Sequence, residues 1–319
     1  MDRTFRTLTA FFALAGFAAV QASPDLSSQA DAAQQRGEMF VAGSDGRRFL
    51  PAELRFAAKL ASPEISKFAA PAVDAIADFS GQLKAQGVSL VLLPVPPKAL
   101  FAGESLGVSP EQRQQMQAGW KTIMEELAAR GVVVEDLSEV FAGAQDDPYC
   151  RRDTHWSGRG IALAADVVSS ALAKSEGLQV GPVAGLWKMQ KIQGDLGGDP
   201  EEVSLRFPGI PADPAAARNH PVLLLGDSHL LVFNAGGDLH AAGAGLADQL
   251  ASALGAMPEV IAVRGSGATS ARMNLARRAR GEPGYLASKK VVVWCFAGRD
   301  FTEADAWKKI PILRPAPAH

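Results

Sequence analysis

Five short apolar runs constrain the fold most: Val88 to Val95, Val132 to Val134, Val222 to Leu225, Val260 to Val263 and Val291 to Phe296. They carry almost no polar residues, which is how a strand reads when both its faces are covered. Between them lie stretches with helical character, Ala70 to Ala85, Pro110 to Arg130, Gly158 to Ser175 and Thr269 to Arg280. The alternation predicts an α/β protein, a five-stranded parallel sheet flanked by helices. Ser109 before Pro110 has the chemistry of a helix start, a capping hydroxyl followed by a residue that needs no N–H. Ser157 can cap the helix that begins at Gly158 in the same way. The Gly- and Pro-rich stretch from Gly177 to Pro221 has no clear period and is too long for a simple connection, so it reads as an insertion bordering the site.

The ends of the chain differ from its middle. Arg3 and Arg6 precede an uncharged apolar stretch from Leu8 to Val20, and Val20 and Ala22 place small residues before Ser23. This is the pattern of a secretory signal cut after Ala22, with an uncleaved anchor as the alternative, since a span needs about 20 apolar residues. Residues 23–39 are polar and alanine-rich and are expected to be a flexible leader or a frayed helix. Residues 40–302 form the folded domain, and 303–319 a short tail. Export makes a bridge between Cys150 and Cys295, the only two cysteines, chemically permissible. Cys295 inside an apolar run equally suits a small buried hydrophobe. With 32 Lys and Arg against 34 Asp and Glu, there is no basic field to hold nucleic acid, which is excluded as a partner.

Chemistry concentrates at the ends of the apolar runs. Val222 to Leu225 stops at Gly226-Asp227-Ser228-His229, a turn that lifts a hydroxyl to the rim of a sheet. About seventy residues earlier, Asp153-Thr154-His155-Trp156 supplies a carboxylate and an imidazole two residues apart. Asp153 orienting His155, and His155 taking the Ser228 proton, make a Ser/His/Asp acyl-transfer site. Two more runs end on Gly265-Ser266-Gly267 and on Gly298-Arg299-Asp300, along the edge where open α/β sheets place their sites. His229 is a rival base. Lys98 ends the first run and is either a ligand or a solvated lysine, while Trp156 either stacks on a sugar or fills the core. Arg264, Arg272, Arg277, Arg278 and Arg280 read as a solvated face, with a polyanion track as the alternative. No Cys/His spacing suits a metal and no Gly-rich loop suits a nucleotide, so no cofactor is expected.

Together these segments resemble the SGNH hydrolase superfamily, in which a Gly-Asp-Ser block carries the nucleophile. Asp153 and His155 precede Ser228 here, as in a circularly permuted order, and their spacing is Asp-x-His. Arg299 also stands where an asparagine is usual. These departures resemble the alginate O-acetyltransferases of the AlgJ/AlgX type, a periplasmic SGNH-like family. Gly43-Ser44-Asp45-Gly46 with Phe49 and Glu53-Leu54, then Leu93-Pro94-Val95 with Lys98, are further local matches, and the likeness spans roughly Phe40 to Phe301.

The resemblance implies a single SGNH hydrolase-like domain with Ser228 as nucleophile, His155 as base and Asp153 as orienting acid. It further implies oxyanion N–H groups from Ser228 and from Gly265 or Gly267, with Arg299 at the oxyanion or on an acidic polymer. The expected activity is acetyl transfer to hydroxyls of an exopolysaccharide in the periplasm, with a membrane-bound acetyl-passing protein as donor partner. An acetyl esterase with the same triad, and a non-catalytic polysaccharide-binding or assembly subunit, are the alternatives.

Overall fold

The computed structural model describes residues 25–175, 177–210, 214–265, 268–304 and 307–313. The expected signal, residues 1–22, lies outside them, as do Gly267 and the last residues of the tail. The strands are β1 (Val41–Ala42), β2 (Arg48–Phe49), β3 (Ser89–Val95), β4 (Val133–Val134), β5 (Leu186–Ile192), β6 (Glu201–Phe207), β7 (Val222–Gly226), β8 (Glu259–Ala262) and β9 (Val291–Ala297). The α-helices are α1 (Leu26–Gln35), α2 (Pro51–Leu60), α3 (Ile65–Lys84), α4 (Ala99–Ala102), α5 (Pro110–Ala129), α6 (Ser138–Ala142), α7 (Gly158–Ser175), α8 (Pro214–Arg218), α9 (Ser228–Leu231), α10 (Leu246–Leu254), α11 (Ser270–Gly281) and α12 (Asp300–Glu303).

The five apolar runs form one parallel sheet in the order β4-β3-β9-β7-β8. Successive side chains of a strand point to opposite faces, so each central strand feeds two cores. On β9, Val292, Trp294 and Phe296 join a core with α2, α3, α5 and α11, while Val291, Val293 and Cys295 join another with α7 and α10. Leu223 and Leu225 of β7 part from Val222 and Leu224 in the same way. The chain builds outward from β3 to β4, then from β7 to β8, and returns to lay β9 between β3 and β7. That reversal brings the carboxyl ends of β3, β9 and β7 side by side, and with them Lys98, Arg299 and Ser228.

Close approach at this edge requires glycine. Gly226 sits opposite Cys295, and a Cβ on it would lie 2.0 Å from the Cys295 carbonyl oxygen. Ser109 accepts from the Gln112 N–H and Gln112 returns to the Ser109 N–H, the reciprocal cap expected of that start. Ser157 Oγ accepts from the N–H groups of Arg159 and Gly160.

Three differences from the sequence reading have plain causes. Residues 26–35, expected in a flexible leader or a frayed helix, form the packed helix α1, because Leu26, Ala30 and Ala33 recur at helical spacing and are buried. In the tail, Trp307 packs on Trp294 and Phe296, and the Ile312 N–H bonds Gln82 Oε1, so 307–313 are part of the domain surface. Arg272, read as solvated, is fully buried. Its guanidinium lies 5.4 Å from the Trp294 ring and 5.3 Å from Trp307, and its Nη1 donates to the Lys308 carbonyl; burial pulls its pKa down to about 10.

Cys150 and Cys295 are both buried and unpaired, so the bridge is not formed. The Gly177 to Pro221 insertion contains the antiparallel β5–β6 hairpin. β5 is exposed along most of its length, and the hairpin turns apolar side chains inward only at Ile192 of β5 and at Val203 and Leu205 of β6, which is why no period showed. Among the described residues no helix is long and apolar enough to cross a membrane.

Candidate active site

The segment from Asp153 to Trp156 is a loop that Asp153 folds upon itself, its Oδ1 accepting the His155 backbone N–H at 2.9 Å. The same oxygen takes the His155 Nδ1 at 2.6 Å, and His155 Nε2 lies 2.8 Å from Ser228 Oγ. Ser228 opens α9 directly after β7, with Asp227 as its cap: Asp227 Oδ1 accepts the His229 N–H and Oδ2 the Ala297 N–H. The cap ties the nucleophile turn to the end of the neighbouring β9. The three residues predicted to act together are therefore in one hydrogen-bonded line, drawn from two distant segments.

The other oxygen of Asp153 is also occupied. Oδ2 accepts the Asp195 N–H at 2.9 Å from the hairpin loop and meets His240 Nε2 at 2.9 Å. Asp195 in turn takes the Thr154 hydroxyl and N–H. Burial alone would raise the Asp153 carboxyl, but hydrogen bonds from His155 and His240, the His155 charge and the Asp195 N–H hold it far below the usual carboxylate range. Asp227 behaves alike: burial raises it, while His229, Arg299 and the Ala297 N–H bring it well down.

A group whose folded pKa is depressed stabilises the fold fully above its unfolded pKa, near pH 4 for aspartate, and loses that contribution as pH falls. The melting temperature should accordingly drop as the solution is acidified below about pH 5. Asp227→Asn should flatten that drop, and a pH profile as steep as the parent's would contradict the assignment.

His240 and Asp195 escaped the sequence reading, because neither lies at a motif spacing. His240 carries a structural mark instead. It and Phe233 are the two non-glycine residues with positive φ among those described, at 74° and 57°, and their rings touch at 5.4 Å between centroids. Backbone strain of this kind persists where the surroundings over-determine it, here to hold an imidazole against Asp153. His240→Ala should lower the turnover number on p-nitrophenyl acetate roughly 10- to 100-fold through misplacement of Asp153, with KM little changed. His240→Gln, which retains an N–H donor, should recover part of it. A change confined to KM would show that His240 touches substrate instead.

The remaining predicted residues divide. Lys98 is 1% exposed, and its Nζ donates to the carbonyls of Asp153 at 2.7 Å and Arg48 at 3.0 Å. It fastens the Asp153 loop to the end of β3. Trp156 is fully buried, edge-on to His229 at 5.4 Å, and belongs to the core. His229 is 2% exposed, its Nδ1 is on Asp227, and burial lowers its pKa, so it supports the turn.

Gly265 lies three residues beyond β8 at φ 89°, a conformation that suits glycine. The Arg299 carbonyl accepts the Thr302 and Glu303 N–H groups, while its guanidinium makes no hydrogen bond or ion pair with any described residue. Arg299 lies between a void of about 10 Å³, shared with Glu53, Thr154 and His229, and an open cavity of about 550 Å³, shared with Gly265. Glu53 is buried with its Oε1 unpartnered; burial raises its carboxyl, against the pull of Lys98 and Arg299. Asp153, His155 and Asp195 bring possible ligand atoms within 4.8 Å of one another. His155 Nδ1 and both Asp153 oxygens are already engaged in hydrogen bonds, so these donors serve the Ser228 line.

The family model of the SGNH hydrolase-like domain, acetyltransferase AlgX, matches residues 42–205, just over half of the chain, including Asp153 and His155. Among solved structures, the O-acetyltransferase domain of Pseudomonas putida AlgJ superposes with a TM-score of 0.62 at 21% identity, covering 82% of this chain and 92% of that one. Pseudomonas aeruginosa AlgX gives 0.52 at 17% identity, over 75% of this chain and 60% of its own. Bacillus cereus PatB1 with a sulfonyl adduct gives 0.51 at 15%, over 77% and 91%. At these identities the likeness is one of fold. No curated protein matches the chain by sequence. With the permuted order of Asp153, His155 and Ser228 built on that fold, and the family match running through the first two, the chain belongs to the SGNH hydrolase-like acetyltransferase family of the AlgX type.

Proposed function

We propose that the protein transfers acetyl groups, through Ser228, onto hydroxyls of an exopolysaccharide in the periplasm. The observation that carries this reading is the line Asp153–His155–Ser228, with every Asp153 carboxylate oxygen engaged and the ring held in one tautomer. His155 Nε2 takes the Ser228 proton as Oγ attacks the acetyl carbonyl, and gives it to the leaving group of the donor. Acetyl-Ser228 results. A sugar hydroxyl then surrenders its proton to His155 and attacks the ester carbonyl, forming the sugar acetate and restoring Ser228. The Ser228 N–H, one of those a helix start leaves unpartnered, and the turn at Gly265 support an oxyanion hole. Arg299 is half-buried, and its guanidinium, without a partner among the described residues, supplies positive charge to the developing oxyanion.

The N-terminal signal pattern supports export. Family resemblance then supports a membrane-bound protein that passes acetyl across the inner membrane as the donor. The test offers p-nitrophenyl acetate as donor together with exopolysaccharide fragments. Transfer predicts that acetyl is diverted onto the sugar; brisk deacetylation of acetylated fragments without any transfer would establish an esterase instead. Arg299→Ala should reduce transfer and p-nitrophenol release in equal proportion. Loss of transfer alone would move Arg299 to the glycan.

A further inference from the structure

Three of the seven exposed large hydrophobic residues among those described lie on one strand, β5: Leu186, Trp187 and Met189, exposed by 70%, 44% and 62%. An apolar cluster of that kind on an otherwise polar ribbon marks a contact surface. Trp187 and Met189, two residues apart, share a face of the hairpin, and both line a cleft of about 650 Å³. The indole is braced from the protein side. Its cross-strand neighbour Arg206 brings its guanidinium 5.6 Å from the ring centroid. Arg206 Nε donates to Gln249 Oε1 at 2.7 Å, and the buried Gln249 returns its Nε2 to the Arg206 carbonyl at 2.7 Å. The ring is thus fixed from α10 while nearly half of the residue stays open to solvent.

The rest of the cleft is polar without a net field. Arg47, Arg151 and Arg159 face Asp146, Asp147, Glu201 and Glu202. Arg47 is paired with Asp147, and Glu201 accepts the N–H groups of Arg151 and Arg152. Arg159 keeps a buried Nε without a partner. Donors and acceptors in balance suit hydroxyls, which give and take hydrogen bonds, whereas a polyanion needs an excess of cations.

We propose that this cleft holds a neutral, hydroxyl-rich glycan chain, with a sugar ring stacked on Trp187. It rests on the transferase reading for its purpose, as the acceptor's holding site. Tyr149, Cys150, Arg151 and Ser157 form one wall of the cleft and flank Asp153 and His155 in sequence, so a chain held there borders the loop that carries the base. The hairpin clamps that loop twice, through Glu201 and through Asp195 on Asp153.

Binding can be measured apart from chemistry, by calorimetry on the full-length Ser228→Ala protein, so the answer stands whether or not Ser228 moves acetyl. The probes are cellohexaose and an oligouronate of equal length. Cellohexaose should bind, and should bind at least about tenfold more tightly than the oligouronate. In the same background Trp187→Ala should weaken cellohexaose about tenfold or more, and Trp187→Phe, which keeps a stacking face, only a few-fold. The melting temperature of both variants reports that the hairpin is intact. Absence of cellohexaose binding, equal binding by Trp187→Ala, or tighter binding of the oligouronate would each overturn the proposal.

Discussion

Ser228→Ala should cut p-nitrophenol release from p-nitrophenyl acetate by about 10⁴-fold or more, while the melting temperature stays near that of the parent. Loss of the nucleophile from a Ser/His/Asp unit has effects of that order in other acyl-transfer enzymes. Folding should survive because Ser228 is only half-buried, and the turn around it is held by Asp227, whose bonds to the His229 and Ala297 N–H groups do not involve the hydroxyl. Turnover that persists in the variant would remove Ser228 from the chemistry, and with it the reading of the site.

Asp153→Asn should cost about 10³- to 10⁴-fold in turnover, since an amide in place of the carboxylate turns the imidazole to the wrong tautomer. The contact at stake is the 2.6 Å bond from His155 Nδ1 to Asp153 Oδ1. Here the substitution also disturbs Oδ2, which meets His240 and the Asp195 N–H, and a carboxamide cannot accept on both sides. Some loss of stability should accompany it. The kinetic effect should vanish in the absence of the nucleophile: Asp153→Asn combined with Ser228→Ala should be little slower than Ser228→Ala alone. Multiplying losses would mean that Asp153 and Ser228 act separately.

What could be read in the sequence was what depends on continuous apolar runs or on local spacing. The strand from Val222 was found because both of its faces are buried, and α7 was found from Gly158 to Ser175 because the Ser157 cap and the apolar stripe agree. Asp153 and His155 were found because two residues suffice to fold a carboxylate back on its own loop. Lys98 and Trp156 stay open in the sequence because it does not state depth: a lysine at a strand end reads the same whether its ammonium meets water or the Asp153 carbonyl. Arg272 was misread for that reason, its cation being accommodated by aromatic faces from β9 and the tail. His240 and Asp195 come to Asp153 from 87 and 42 residues away, through a glycine-rich loop and an exposed hairpin without a period. Only the folded chain brings them there.

Passage of acetyl through Ser228 to a sugar hydroxyl must leave a transient ester on the protein. The direct measurement is rapid-quench mass spectrometry of the protein with isotopically labelled p-nitrophenyl acetate, followed by a chase with exopolysaccharide fragments. One labelled acetyl should appear on the peptide that contains Ser228, be lost on the chase and be recovered as an ester on the glycan. Label that never appears on Ser228, or that leaves only as free acetate however much glycan is added, would contradict it.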